Sequence, residues 1–237
     1  MRVQMLRDPS ADKFAKQLLA IGDGKDKINR NSGCIKLPSD FCIIVDFQKD
    51  IINSVFCELT TNYLNHAWLA ERKILPPKNA NVDDLNFTIQ QALPGNVVSY
   101  KSIDTVCNAN EAVNYPAEFL NSLNLSGMPP HMLRLKIRST VILLRNLNRP
   151  RLCNGTRLVV KKMMKNIIET PILTGKFKGE NVLLPRIPII PTEFPIEFKR
   201  VQFPIKIAFA MTINKFQWQT VSVCGLDLRK QCFSHGQ

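Results

Sequence analysis

The chain has 237 residues, 45% of them hydrophobic and 22% charged, a balance that supplies a buried core and excludes global disorder. No apolar run approaches the ~18 residues that cross a membrane, and the basic, polar start lacks the apolar centre of a signal peptide, so the expectation is a soluble, intracellular protein with no membrane partner. The net charge of +13 is unevenly spread: residues 1–120 carry 13 Lys/Arg against 14 Asp/Glu, whereas residues 121–237 carry 19 against 5.

Pro9-Ser10 can open a helix with Phe14, Leu18 and Leu19 on one face, and Gly22 is the candidate left-handed cap. Phe41-Cys-Ile-Ile-Val-Asp46 has the composition of a short buried strand ending in an acid. Residues 46–59 and 62–73 show helical spacing, with Ile51, Val55 and Phe56, then Tyr63, Trp68 and Leu69, as core candidates. A further helix is predicted over 81–93, with acids in its first turn and a stop at Pro94-Gly95, followed by an extended strand over 100–106. A looser stretch rich in Asn and Pro runs to Pro130.

From Leu133 the alternation of Leu133, Leu135 and Ile137 with Arg134, Lys136 and Arg138 predicts a half-buried strand with a basic outer face. Short strands follow at 141–144, 156–160, 167–173 and 181–190, with a turn at Asn154-Gly155, which suggests a small antiparallel barrel. Ten basic residues and no acidic one fall within 134–165. The leading partner for so concentrated a field is nucleic acid, with a generically basic surface as the alternative. Farther on, the apolar run from Ile205 to Met211 reads as a buried strand ending in a polar turn. There Thr212, Asn214, Lys215 and Gln217 offer a hydroxyl, two amides and an ammonium to a phosphate.

Self-contained enzyme chemistry is not expected. The seven cysteines are scattered and never form Cys-x-x-Cys, which points to reduced thiols rather than a zinc site, and the three histidines lie far apart. Gly22-Asp-Gly-Lys25 fails as a phosphate loop, with Leu19 where a glycine is needed and Asp26 where Ser or Thr must hold magnesium. Val45-Asp46 is then a strand-end acid without a loop beside it. No Gly-x-Ser-x-Gly elbow, His-Glu-x-x-His helix or pair of carboxylates occurs, so neither a metal nor a cofactor is expected in this chain.

Nine blocks follow one another along the chain: Met1-Arg2-Val3, Glu71-Arg-Lys-Ile-Leu75, Tyr100-Lys-Ser-Ile-Asp104, Gly127-Met-Pro-Pro-His131, Leu143-Leu-Arg-Asn-Leu147, Leu152-Cys-Asn-Gly-Thr-Arg157, Ile172-Leu-Thr-Gly-Lys176, Phe198-Lys-Arg-Val-Gln-Phe203 and Ala208-Phe-Ala-Met-Thr-Ile-Asn-Lys215. Together they resemble the carboxyl-terminal half of the Pif (petite integration frequency) family of DNA helicases, especially the Helitron-borne forms. The resemblance implies an α/β fold. Residues 1–126 and 191–237 would make a second RecA-like helicase domain, interrupted at 127–190 by a small Src-homology-like β-barrel.

The family's activity is ATP-dependent five-to-three-prime DNA unwinding, with ATP and magnesium, in DNA repair, recombination and telomere maintenance. Its Thr-x-His/Asn-Lys-Ser/Ala-Gln-Gly motif would put Thr212, Asn214, Lys215 and Gln217 on single-stranded DNA, with Arg134, Lys136, Arg145 and Arg157 as further nucleic-acid contacts. Arg2 would reach the γ-phosphate of ATP as a transition-state clamp, given a partner ATPase domain. The expected location is nuclear, with mitochondrial as the alternative.

Three positions depart from the family pattern. Phe216 replaces a small residue, Trp218 a glycine and Arg138 a glycine, and a side chain at a glycine position blocks close approach or strains a positive φ. The family's phosphate-loop domain is expected upstream of Met1, and a Tyr-Val-Ala-x-Ser-Arg segment beyond Gln237. The expectation is a helicase fragment that binds nucleic acid without being catalytic by itself. The alternatives are an incomplete gene model of an active helicase and a stand-alone basic binding module.

Overall fold

The structure, a computed structural model, describes residues 9–25, 35, 37, 41–108, 114–192, 194–217 and 219–229. It divides into two units, Met1–Phe47 with Phe233–Gln237, and Gln48–Cys232. In the first, helix α1 spans Pro9–Gly22. It ends in a Schellman turn: Lys25 N–H donates to the Ala20 carbonyl at 2.9 Å and Gly24 N–H to the Ile21 carbonyl at 3.1 Å. The left-handed residue is Gly24, with φ 67°, rather than Gly22, because Gly22 still holds helical geometry. Residues 41–46 do not form the expected strand, and Ile43 and Ile44 are exposed. An apolar run becomes a strand only where another strand satisfies its backbone, and no described strand pairs with this one.

The second unit opens with α2 (Gln48–Val55), α3 (Leu59–Asn62) and α4 (His66–Ala70). The helical spacing read through Lys73 stops at Ala70, and Arg72–Leu75 is strand β1. Lys73, Ile74 and Leu75 are consecutive and all buried, which suits a strand covered on both faces. Its partner is distant: β1 pairs in parallel with β13 (Val223–Leu226), from Arg72 opposite Val223 to Leu75 opposite Leu226. Helix α2 lies on this pair. Gly225 permits the approach, since a Cβ there would stand 2.7 Å from Val55 Cγ2 and 2.8 Å from Ile51 Cγ1.

Helix α5 (Asn79–Ala92) buries Val82, Leu85 and Ile89. Asp83 and Asp84 fall beyond its first turn, because the helix starts two residues earlier than the sequence suggests. Its buried Asn86 ties it to the chain after residue 206: the amide donates to the carbonyls of Ile207 at 3.2 Å and Ala210 at 3.0 Å, and its oxygen accepts from Ala210 N–H at 2.8 Å. Lys73 is fully buried and donates to the Ala208 carbonyl. Burial, and then the Arg157 guanidinium, hold the Lys73 pKa well below the ordinary lysine value.

The rest is antiparallel. Strand β2 (Val98–Lys101) pairs with β4 (Met132–Leu135), and β5 (Thr140–Leu143) lies between β6 (Arg157–Val159) and β12 (Ile205–Ile207). Another sheet runs β7 (Lys162–Met163), β8 (Ile167–Pro171), β9 (Asn181–Pro185), joined to β6 by a bridge between Leu158 and Ile172. A third has β11 (Phe198–Gln202) between β3 (Ile103–Val106) and β10 (Ile187–Ile189). The expected strand over 100–106 breaks at Ser102, which is buried and polar, and its halves join different sheets; the run over 181–190 divides likewise at Arg186. One apolar core, including Tyr100, Leu135, Leu143, Leu158, Ile168 and Ile205, is shared by β2, β4, β5, β6, β8 and β12.

The alternation read from Leu133 holds only to Leu135. Ile137 is 42% exposed while Lys136 is 6% exposed, the reverse of the expectation, because the chain turns there to enter β5. Turned inward, Lys136 Nζ donates to the carbonyls of Leu93 at 2.7 Å and Gln91 at 3.1 Å, a cation closing the negative end of α5. Arg138 takes φ 73° in the same turn, a left-handed conformation that glycine adopts without the strain a side chain brings. Its Nη1 donates to His66 Nε2 at 2.8 Å. Burial, then Arg138 and Lys161, push the His66 pKa down.

Three of the sequence blocks meet in one buried polar network. Arg200 is fully buried, and its Nε and Nη2 donate to Asp104, with Nη2 to Oδ2 at 2.7 Å. Its remaining bonds run to the carbonyls of Leu120 at 2.8 Å, Leu123 at 3.1 Å and Pro129 at 3.2 Å, around helix α6 (Ala117–Ser122). Ser102 Oγ donates to Asp104 Oδ1 at 2.6 Å and lies 2.8 Å from His131 Nδ1. A hydroxyl has one proton, and here Asp104 receives it, which assigns the proton of the second contact to His131 Nδ1. Gln202 completes the network by donating to the carbonyls of Tyr100 at 2.9 Å and His131 at 3.1 Å.

Candidate nucleic-acid interface

After β12 the chain runs through Ala208, Phe209, Ala210, Met211 and Thr212, all buried, and exposure rises only past Thr212, the first residue of the polar turn. Thr212, extended at φ −64° and ψ 149°, precedes the short helix α7 (Ile213–Phe216), and its carbonyl accepts from the N–H groups of Lys215 at 3.0 Å and Phe216 at 3.2 Å. Its side chain makes no cap bond and is buried. Asn214, Lys215 and Gln217 are exposed. Phe216 packs with Ile213 against Leu75, Ile142, Leu144, Ala208 and Met211. The Phe216 side chain therefore anchors the turn, while Trp218 lies outside the described residues.

The same apolar cluster includes Ile142 and Leu144 and so holds α7 beside the end of β5, where Arg145 follows. Lys215 and Arg145 line one cleft of about 570 Å³, together with Met128, Asn154, Gly155 and Phe194. Arg145 is oriented by Nη1, which donates to the carbonyls of Gly127 at 3.0 Å and Leu144 at 3.1 Å. Partial burial, and then Lys206, lower the Lys215 pKa, with Asp83 opposing them. Lys206 and Asp83 themselves pair at 2.8 Å. Two cations at the wall of a cleft of this size form an anion-attracting recess within the usual volume of ligand sites, roughly 300–1,000 Å³.

The other candidates go elsewhere. Arg157 is only 2% exposed, donates to the Leu69 carbonyl at 3.4 Å, and has its pKa pushed down to about 10 by burial. It and Lys136 are interior cations, so neither can be the surface contact that the charge count suggests. Arg134 is exposed on β4, beside a separate apolar pocket that includes Phe87 and Lys206. Arg2 lies outside the described residues. Of the ten basic residues between 134 and 165, Arg151 pairs with Glu180 and Lys161 with Glu169, both at 2.7 Å. Much of the expected field is thus spent on structure.

Met128 and Phe194 in the cleft were not candidates in the sequence. Asn154-Gly155 stood out only as a turn, and Phe194 sits in a Pro-rich loop whose place in space no local signal reveals. Among the described residues, no helix is long and apolar enough to cross a membrane.

Residues 118–163, which run from within α6 to the end of β7 and include Arg145, match the family model described as DNA helicase Pif1, 2B domain. The whole chain also resembles solved Pif1 structures. The Pif1 helicase from Candida albicans superposes with a TM-score of 0.59 at 19% identity, over 95% of this chain and 49% of that one. Over residues 118–163 the chain is similar to the 2B domain of the Pif1 DNA helicases, and its fold is similar to about half of their solved structures.

The Pif1 helicase from Bacteroides, in complex with ADP-AlF3 and ssDNA, matches with a TM-score of 0.57 at 16% identity, over 95% of this chain and 44% of that one. Bacteroides Pif1 bound to ssDNA gives 0.52 at 18% identity, over 79% and 44%. This chain therefore spans about half the length of the Pif1 structures it matches. No curated protein matches it. The Pif1 2B match takes in three of the sequence blocks, from Gly127 to Arg157, whereas Thr212 to Gln217 lie beyond it.

Proposed function

We propose that this chain is the nucleic-acid-holding, carboxyl-terminal part of a Pif1-type DNA helicase, gripping the backbone of a single strand through Lys215 and Arg145. The observation that carries the proposal is the convergence of these two cations, about 70 residues apart in sequence, on one cleft. In this reading the parallel β1–β13 pair with α2 and α5 belongs to a second RecA-like domain, and the antiparallel strands around the shared core to an Src-homology-like barrel. The sequence contains no Gly-Lys-Ser/Thr phosphate loop. ATP-driven unwinding then requires an ATPase domain that supplies the sites for ATP and magnesium, and Arg2 is the residue that would reach into such a site.

Fluorescence anisotropy with a labelled oligo-dT strand tests the grip. Each phosphate contact on a single strand contributes a slope of about −0.7 to log K against log salt, so two contacts give about −1.4. Lys215→Ala reduces that slope by about 0.7. Binding that is insensitive to salt, or unaltered by Lys215→Ala, refutes the proposal. ATP turnover by the purified chain in the presence of single-stranded DNA refutes the requirement for an added ATPase domain.

A further inference from the structure

The cleft that holds Lys215 and Arg145 is only partly a phosphate site. Its wall also carries Phe194 and the buried Met128, while Asn154 and Thr192 stand at its exposed rim. Phe194 is partly exposed and meets the fully buried Phe198 edge to face, with ring centroids 6.2 Å apart and an interplanar angle of 82°. Phe198 belongs to the apolar cluster of Leu120, Met128 and Ile189, against which Phe194 also packs. The ring is thus packed against Phe198 and its cluster in a cleft whose lining also includes Lys215 and Arg145.

A recess for backbone phosphate alone needs no aromatic wall. An aromatic face beside cations is instead the pairing that accepts an unstacked base and its adjoining phosphate together. Two side-chain torsions, already restrained by Phe198, mean that little rotamer freedom is lost when a base arrives. Asn154 offers an amide, and Thr192 a hydroxyl, to the edge of that base.

We infer that Phe194 is a base-stacking residue: the cleft takes one unpaired nucleobase against the Phe194 ring while Lys215 and Arg145 hold its phosphates. The inference rests on the single-strand reading above. Its consequence is that the chain distinguishes a strand with bases from a bare sugar-phosphate chain, and prefers flexible, unpaired segments whose bases can turn inward.

The test compares the full chain on two labelled strands of equal length and charge, oligo-dT and an abasic oligomer. Stacking of one base corresponds to roughly 5- to 100-fold in affinity, so the unaltered protein binds oligo-dT tighter than the abasic strand by a factor in that range. Phe194→Ala removes most of the difference by weakening oligo-dT binding only. Phe194→Leu keeps an apolar group against Phe198 but lacks the π face; it has the same effect, and thermal melting checks that it remains folded. Phe194→Trp retains or increases the preference. Lys215→Ala weakens both strands alike.

If the unaltered protein binds both strands equally, or if the folded Phe194→Leu variant keeps the preference, the stacking role is overturned while the phosphate grip stands. Failure to bind either strand overturns both readings.

Discussion

Arg200→Met tests the buried network most directly. The arginine is fully buried and bonds both oxygens of Asp104 and three main-chain carbonyls, so the variant leaves a buried carboxylate without its counter-charge and Leu120, Leu123 and Pro129 without a donor. Removing one partner of a buried ion pair costs about 3–5 kcal/mol, set against a total stability of roughly 5–15 kcal/mol. With a urea m-value of roughly 2–3 kcal/mol per molar, the unfolding midpoint falls by about 1–2 M. Far-UV circular dichroism during urea titration reads this shift.

The double variant Arg200→Met with Asp104→Leu recovers much of the loss, because an apolar pair of similar bulk removes the stranded charge. Arg200 also fastens the carbonyls on either side of Met128, which lines the cleft. Oligo-dT affinity therefore declines in the single variant even where it remains folded. A midpoint shift corresponding to less than ~1 kcal/mol, or no recovery in the double variant, refutes the assignment of this network as a support of the segment around Met128.

Other sites give sharper, smaller effects. Burial holds the Lys73 pKa in the folded chain well below the ordinary lysine value of 10.5, at which the unfolded chain takes up its proton. The unfolded state binds more protons, so stability rises with pH from the lowered folded pKa toward that value; urea midpoints across alkaline pH show the rise, and Lys73→Met abolishes it. Gly225→Ala drives a methyl group into Val55 and Ile51 and lowers stability by about 1–3 kcal/mol in the same titration. Arg138→Gly relieves a left-handed arginine and raises stability by about 1 kcal/mol, less whatever the bond to His66 contributes. Because the Lys215 pKa is lowered, strand affinity falls with rising pH before it would for an ordinary lysine at 10.5; anisotropy against pH shows the early fall, and Lys215→Arg removes it.

Helix α5, strands β4, β5 and β8 and the turn at Asn154-Gly155 were legible because their signals are local: apolar spacing, a Pro-Gly stop, an Asn-Gly pair. The failures share a cause. Lys136 and Arg157 read as surface charge because charge type says nothing about direction; one closes a helix by bonding a carbonyl 43 residues earlier, and the other reaches a carbonyl 88 residues away. Phe41–Asp46 reads as a strand because its residues suit one, yet a strand exists only with a partner.

The sequence by itself supplied the resemblance to the Pif helicases, the sites of punctuation and the candidate turn from Thr212 to Gln217, since order, spacing and residue type are properties of one dimension. It also singled out Arg138 where the resemblance implies glycine, and the φ of 73° is one that glycine adopts without strain. Only the tertiary structure decided which cations face outward, that Lys215 and Arg145 share a cleft with Phe194, and that three separated blocks meet around one buried arginine and one aspartate. Those outcomes depend on desolvation. A cation is inexpensive to leave in water and costly to bury, and which of the two befalls it is set by the carbonyls and carboxylates that distant segments bring to it.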